Sequence, residues 1–337
     1  MGKRNRALKH YFRQPRVAAE FYDVAVFDGE REISPEELED VSDFYGETLW
    51  ERNGQKAETE RERDVVKLLH RGGLLIIAAV ENQDVLNYVM PLRCLEYDLL
   101  DYRRQLRMLR EKHKKAKDLR GSAEFLSGIK EGEKLTPVIT ILFYHGPGKW
   151  TASKQLHDLL DMEGIDEKLK GYVANYKMHV VCLCDLEEEK FETGLRELIA
   201  MMKRRNSKKE MESYCRAHAE RFQDMDEETY DAICMMTGWK ELIISKDKHR
   251  NPEGGIIDMC KAVDDWAREE KEKGIRIGRR QGERVGKKRG EAIGEKRGEK
   301  RLLDLIVMLY RDGRDSDVKL ISSNLRRRRE LYQEYGI

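Results

Sequence analysis

The sequence predicts an α/β fold: a mixed sheet flanked by helices, followed by a helical C-terminal extension. Three observations predict it. Two short aliphatic runs, Val65–Leu69 and Leu74–Val80, flank Gly72-Gly73, a dipeptide that accepts the positive φ angles of a tight hairpin turn. Two further apolar runs, Thr136–Tyr144 and Met178–Leu186, read as strands buried on both faces, with a helical segment at Leu156–Leu169 between them. From Gly274 onward, glycine recurs at 274, 278, 282, 286, 290, 294 and 298, a helical period.

Taken in order, Leu8, Tyr11, Phe12, Val17, Ala18 and Phe21 recur at helical spacing and are interrupted by Pro15, which predicts a helix broken or restarted at the proline. Val24–Phe27 before Asp28-Gly29 suggests a short extended piece and a turn. Ser34-Pro35-Glu36-Glu37 has the form of a capping box, which predicts two helical turns over Glu36–Ser42. The charged interval Glu47–Arg63, with Asn53-Gly54, is a loop or exposed ribbon.

The hairpin then carries the chemistry. With Gly72-Gly73 as its loop, Arg71 faces Leu74, Leu69 faces Ile76 and Asp64 faces Glu81. Gln83 projects from the same face two residues on, so Asp64, Glu81 and Gln83 converge. Like charges this close repel unless a cation lies between them, and hard ions such as Mg²⁺ favour one or two carboxylates with water and substrate phosphates. On spacing alone, a hairpin that simply ends in solvent outweighs that reading.

Beyond the acids, Val80-Glu81-Asn82-Gln83, Met90-Pro91-Leu92-Arg93, Tyr97-Asp98 and Tyr102 with Gln105 form a string that resembles the Rpn-type family of recombination-promoting nucleases and transposase-like proteins, within the PD-(D/E)XK nuclease superfamily. The resemblance implies a restriction-endonuclease-like core and a DNA endonuclease that uses Mg²⁺ or Mn²⁺. Asp64 and Glu81 would ligate the metal, Gln83 would position water and Arg93 would pair with a phosphate or orient Glu81. Gln83 stands where the wider superfamily has lysine, and an amide supplies no positive charge. The resemblance also makes Glu20 a further candidate metal ligand and brings Asp23 under suspicion, and it draws Gln105 toward the site.

After Gln83, Val85, Tyr88, Leu92, Leu95, Leu99, Tyr102, Leu106 and Leu109 alternate steps of three and four, a continuous helical stripe that Pro91 either opens or kinks. Lys112–Arg120 is a basic run closed by Gly121. Gly146-Pro147-Gly148-Lys149 follows a strand but lacks the spacing and the Ser/Thr of a phosphate-binding loop. His145, His157 and His179 are spread among different elements. Amphipathic helices follow from Phe191 to Gly238, where Met201, Met202, Met211, Met225, Met235 and Met236 read as core. Asn251-Pro252-Glu253-Gly254-Gly255 marks a turn. The organisation expected is a nuclease-like core over 1–190, a helical region over 191–270, the basic glycine helix over 271–301 and a helical tail over 302–337.

Charged residues make up 38% of the 337-residue chain, and the net charge of +1 conceals an asymmetry. Residues 271–301 hold 13 basic and 5 acidic residues, a net +8, whereas residues 1–270 carry a net −8. The glycine helix could self-associate into a homo-oligomer through Gly274–Gly298, or lie along DNA and add salt-dependent affinity; an exposed charged linker reads equally well. Six cysteines at 94, 182, 184, 215, 234 and 260 do not form a disulfide framework, and Cys182-x-Cys184 has no second pair at zinc-site spacing. They read as reduced core thiols. With no apolar leader and no membrane-length run, the expected location is cytoplasmic. The competing reading is a non-catalytic DNA-binding or self-assembling protein that keeps the nuclease fold.

Overall fold

The computed structural model describes residues 3–41, 50–52, 55–57, 64–71, 74–251 and 255–337. The turns at Gly72-Gly73 and Asn53-Gly54, and the centre of the one at 252–254, lie outside the described residues.

The strands are β1 (Leu38–Asp40), β2 (Trp50–Arg52), β3 (Gln55–Ala57), β4 (Val65–Arg71), β5 (Leu74–Gln83), β6 (Val138–Tyr144) and β7 (His179–Cys182). Five form one mixed sheet in the order β1-β4-β5-β6-β7; β2 and β3 pair by themselves as the ribbon. The β4–β5 ladder is antiparallel with Arg71 opposite Leu74, Leu69 opposite Ile76 and Val65 opposite Val80, the register anticipated from the sequence. Strand β6 runs parallel to β5, with Glu81 beside Leu142 and Gln83 beside Tyr144, and β7 runs parallel to β6. The run at 178–186 departs from expectation. It is a four-residue edge strand with an exposed start, because a one-turn helix at Leu183–Asp185 ends it.

Helices α1 (Lys3–Phe12) and α2 (Pro15–Phe27) are separated at the proline, as expected. They cover one face of the sheet, where Phe12 and Phe21 meet Phe143 edge-on at ring-centroid distances of 5.9 and 5.2 Å. The extended piece at Val24–Phe27 is instead the end of α2, capped by Asp28 in the left-handed region with its N–H on the Asp23 carbonyl. The capping box makes a single turn, Pro35–Glu37, in which the Ser34 N–H donates to Glu37 Oε2 at 2.9 Å. The expected helix over Glu36–Ser42 gives way to β1, since Leu38 and Val41 gain more burial from the sheet edge than a solvated helix would offer.

The other face is covered by α3 (Met90–Ala116), which Pro91 opens rather than kinks. Met90 and Cys94 pack with Leu142, Tyr144, Trp150, Met178 and Cys182. The apolar stripe is not the buried face of α3. Tyr88, Leu92 and Leu99 are exposed, while Tyr97, Asp98 and Asp101 turn inward. Asp98 is satisfied there by Thr140 Oγ1 at 2.5 Å and Tyr176 Oη at 2.7 Å.

Helices α4 (Gly121–Ser127) and α5 (Glu167–Lys170) are short, and Leu156–Leu169 holds only one turn at Leu156–Leu159 and the start of α5. Then come α6 (Leu195–Arg204), α7 (Lys208–Ala217), α8 (Ala219–Phe222), α9 (Glu227–Thr237) and α10 (Lys240–Ile244). Of the six methionines expected in the core, Met201, Met202, Met211, Met225 and Met236 are buried and Met235 is half-buried. The chain divides into two compact units, 1–266 and 267–337. Helix α11 (Met259–Arg311) contains the whole glycine repeat and also the first residues, 302–311, of the tail expected to be distinct from it. In the second unit Leu305 and Leu309 pack with Ile321 of α12 (Asp315–Ile321) and Leu331 of α13 (Leu325–Glu334). Among the described residues no helix is long and apolar enough to cross a membrane.

Candidate active site

Two carboxylates are buried where β4 begins and β5 ends. Asp64 immediately precedes β4 and is 4% exposed; Glu81 lies on β5 and is 3% exposed. Alternation along the strands puts Glu81 on the face shared with Leu142 and Tyr144, the α3 face. Asp64 Oδ2 accepts the Asn82 backbone N–H at 2.7 Å, which fixes the first carboxylate against the strand that carries the second.

Burial pushes the Asp64 carboxyl up to about 6, against the pull of that amide and of the positive charges of Lys9 and Arg93. It therefore keeps its proton to higher pH than an ordinary carboxyl and loses it as pH rises through about 6. Arg93, on the first turn of α3, donates from Nε and Nη2 to Tyr97 Oη at 3.0 and 2.9 Å. Half-burial works against its charge, but Tyr97, Glu81 and Asp64 together hold the guanidinium above its ordinary value. Tyr97 is raised in turn, by burial first and then by the negative charge of Glu81. Asp64, Glu81, Arg93 and Tyr97 thus share one electrostatic environment. Lys9 joins it from α1, which sequence reading missed because helical spacing marked the apolar face of α1 and not its charged one.

The remaining candidates lie as follows. Gln83 is half-buried, and its amide donates to the Val85 carbonyl at 2.8 Å. Glu20 lies elsewhere: its carboxylate accepts the Thr193 N–H at 3.0 Å and the Thr193 hydroxyl, so it anchors the segment before α6. Asp23 accepts the Glu32 and Ile33 amides at 3.1 and 2.9 Å and holds the turn after α2. Gln105 clamps Thr136, accepting its N–H at 2.6 Å and donating to its carbonyl at 3.0 Å, at the opposite end of β6 from the acids. These three have structural partners that account for them. The Asn82 carbonyl, next after Glu81, receives Asn5 Nδ2 at 3.4 Å.

Fold and site together define an α/β protein with a buried acid pair and an arginine at one end of a mixed sheet. Residues 74–232 match the family described as "Putative transposase, YhgA-like". That span runs from β5 through most of α9, so it includes Glu81, Gln83, Arg93 and Tyr97 and leaves out Asp64 and the glycine helix. No curated protein and no solved structure matches the chain.

Proposed function

We propose that this chain is a metal-dependent DNA endonuclease of the PD-(D/E)XK type that acts in transposition or recombination. The observation that carries the reading is the pair Asp64 and Glu81, almost fully buried on one face beside Arg93. Similarity to a transposase family over 74–232 supports the biological setting.

Two carboxylates and little else form a hard-oxygen donor set, which fits Mg²⁺ or Mn²⁺ better than a softer metal. Asp64 and Glu81 would hold the ion, with no contribution from Glu20. When bound, the cation lowers the pKa of water and offsets charge developing on the phosphate. Arg93 supplies a cation at the same end of the sheet and orients against Tyr97, so it meets the scissile phosphate or its neighbour. Gln83 positions water only after its amide leaves the Val85 carbonyl, and this makes a slow enzyme. The basic Gly274–Gly298 stretch adds DNA affinity and a route to self-association.

The same Gln83 contact favours a second reading, a DNA binder that keeps the fold without cutting. Supercoiled plasmid incubated with Mg²⁺, with EDTA and with a folded Glu81→Ala variant separates the two. Metal-dependent nicking lost in the variant supports the nuclease. Retarded but uncut plasmid under both Mg²⁺ and Mn²⁺ overturns it.

A further inference from the structure

The loop after β6 closes over the end of β7, and the contact is made by thiols. Strand β7 ends at Cys182, and the turn Leu183–Asp185 buries Leu183 while bringing Cys184 and Asp185 round beside Cys182. One Sγ from each cysteine and a carboxylate oxygen of Asp185 all lie within 4.8 Å of one another. The loop supplies the surroundings. The Trp150 N–H donates to Cys182 Sγ at 3.4 Å, the Cys184 thiol reaches the Gly148 carbonyl at 3.3 Å, and Lys149 Nζ pairs with Asp185 at 3.0 Å.

We propose that Cys182, Cys184 and Asp185 form a site for a thiophilic divalent cation, with zinc as the physiological occupant. Two sulfurs and one oxygen make a three-ligand zinc set, and water completes the tetrahedron on the exposed side. Zinc–sulfur bonds of about 2.3 Å require ligand atoms roughly 3.5–4 Å apart, within reach of small rotamer changes from the spacing observed. Binding displaces two thiol protons and frees Asp185 from Lys149; the ammonium then balances the net negative charge of a zinc held by two thiolates and a carboxylate. The hard-oxygen pair Asp64 and Glu81 offers no thiolate, so it would hold zinc more weakly and release it on desalting. Tyr144 stands in register with both Gln83 and Cys182, so the metal would sit beside the Gly146–Trp150 loop, one strand from the acid pair.

The test uses the full chain, reduced, loaded with excess zinc chloride and desalted, with metal measured by mass spectrometry. Cobalt substitution then reads sulfur ligation through thiolate-to-cobalt charge-transfer absorption. The expected result is about one zinc per chain, lost in Cys184→Ser and weakened roughly tenfold in Asp185→Asn. Cys260→Ser and Glu81→Ala should retain the full amount, which separates this site from the other thiols and from the acid pair. A wild-type chain that desalts free of zinc overturns the proposal, as does a Cys184→Ser variant that keeps as much metal as wild type.

Discussion

Asp64 is ionised against its surroundings. Its carboxyl sits at about 6 in the folded chain against an ordinary 3.8, so the folded state binds this proton more tightly than the unfolded one. The stability it contributes is fully present below about pH 4 and is lost as pH rises through about 6. In the absence of divalent cations, Asp64→Asn should therefore melt above the wild type at pH 8, with the gap closing toward pH 5; a gap that stays constant over that range would contradict the assignment. If the acid pair holds a cation, Mg²⁺ at pH 8 should raise the wild-type melting temperature and leave Asp64→Asn unmoved, and cutting should climb with pH through about 6. Arg93 gives an independent reading of the same site. Its planar fork grips Tyr97 through two nitrogens, a geometry that lysine cannot copy. Arg93→Lys should slow plasmid nicking by tenfold or more with the fold intact by circular dichroism; an unchanged rate would place the arginine outside the chemistry.

At the scale of elements, Lys67 tests how the sheet edge is held. It lies on β4, is wholly buried, and donates from Nζ to Asp40 Oδ2 at 2.9 Å and to the Arg13 carbonyl. One ammonium thereby ties β1, β4 and the α1–α2 turn together. Lys67→Ala should lower unfolding stability in urea by about 3 kcal/mol, because it leaves a cavity and takes from a half-buried carboxylate the ammonium that shares it with Arg13. Lys67→Met, which refills the space, should lose clearly less; equal losses would mean that charge and not volume is what matters. Nothing in the sequence set Lys67 apart from the other basic residues, because a buried lysine is visible only once Asp40 is brought beside it by the pairing of Asp40 with Lys67. The hairpin was legible because strand register follows arithmetically from a two-residue loop, and Asp64 and Glu81 are aligned by the same sum. The buried face of α3 was not. Periodicity ranks residues by apolarity, so it picked Leu92 and Leu99, whereas the buried face includes Asp98, whose partners Thr140 and Tyr176 lie 42 and 78 residues away in the chain. Val24–Phe27 misled for a related reason: its β-branched residues favour a strand locally, but the burial of Phe21 and Tyr22 sets the helix that contains them.

Over the whole molecule, charge is segregated along the chain: a net −8 over residues 1–270, and +8 over residues 271–301 alone. If the chain binds DNA as proposed, an acidic body approaching it meets repulsion except near its own basic groups, and non-specific affinity should come largely from the basic stretch of α11. Each lysine or arginine that neutralises a phosphate steepens the fall of log K with log salt by about 0.9 on duplex DNA. Lys287, Lys288 and Arg289 are consecutive and exposed in the centre of that stretch, where no neighbour lies within 4 Å of a β-carbon built on Gly286 or Gly290. Replacing all three with glutamine removes charge while keeping good helix formers, so the fold should be untouched. The salt slope of duplex binding, measured by fluorescence anisotropy between 50 and 200 mM salt (roughly the range over which such contacts are felt), should then become shallower by as much as about three. The effect should be equal on unrelated sequences, since phosphate contacts carry no base readout. A slope that does not move would take α11 out of the DNA interface. The basic groups beside the acid pair, Lys9 and Arg93, would then have to hold the duplex, and glycine at every fourth position would be left to chain–chain packing or to an exposed linker.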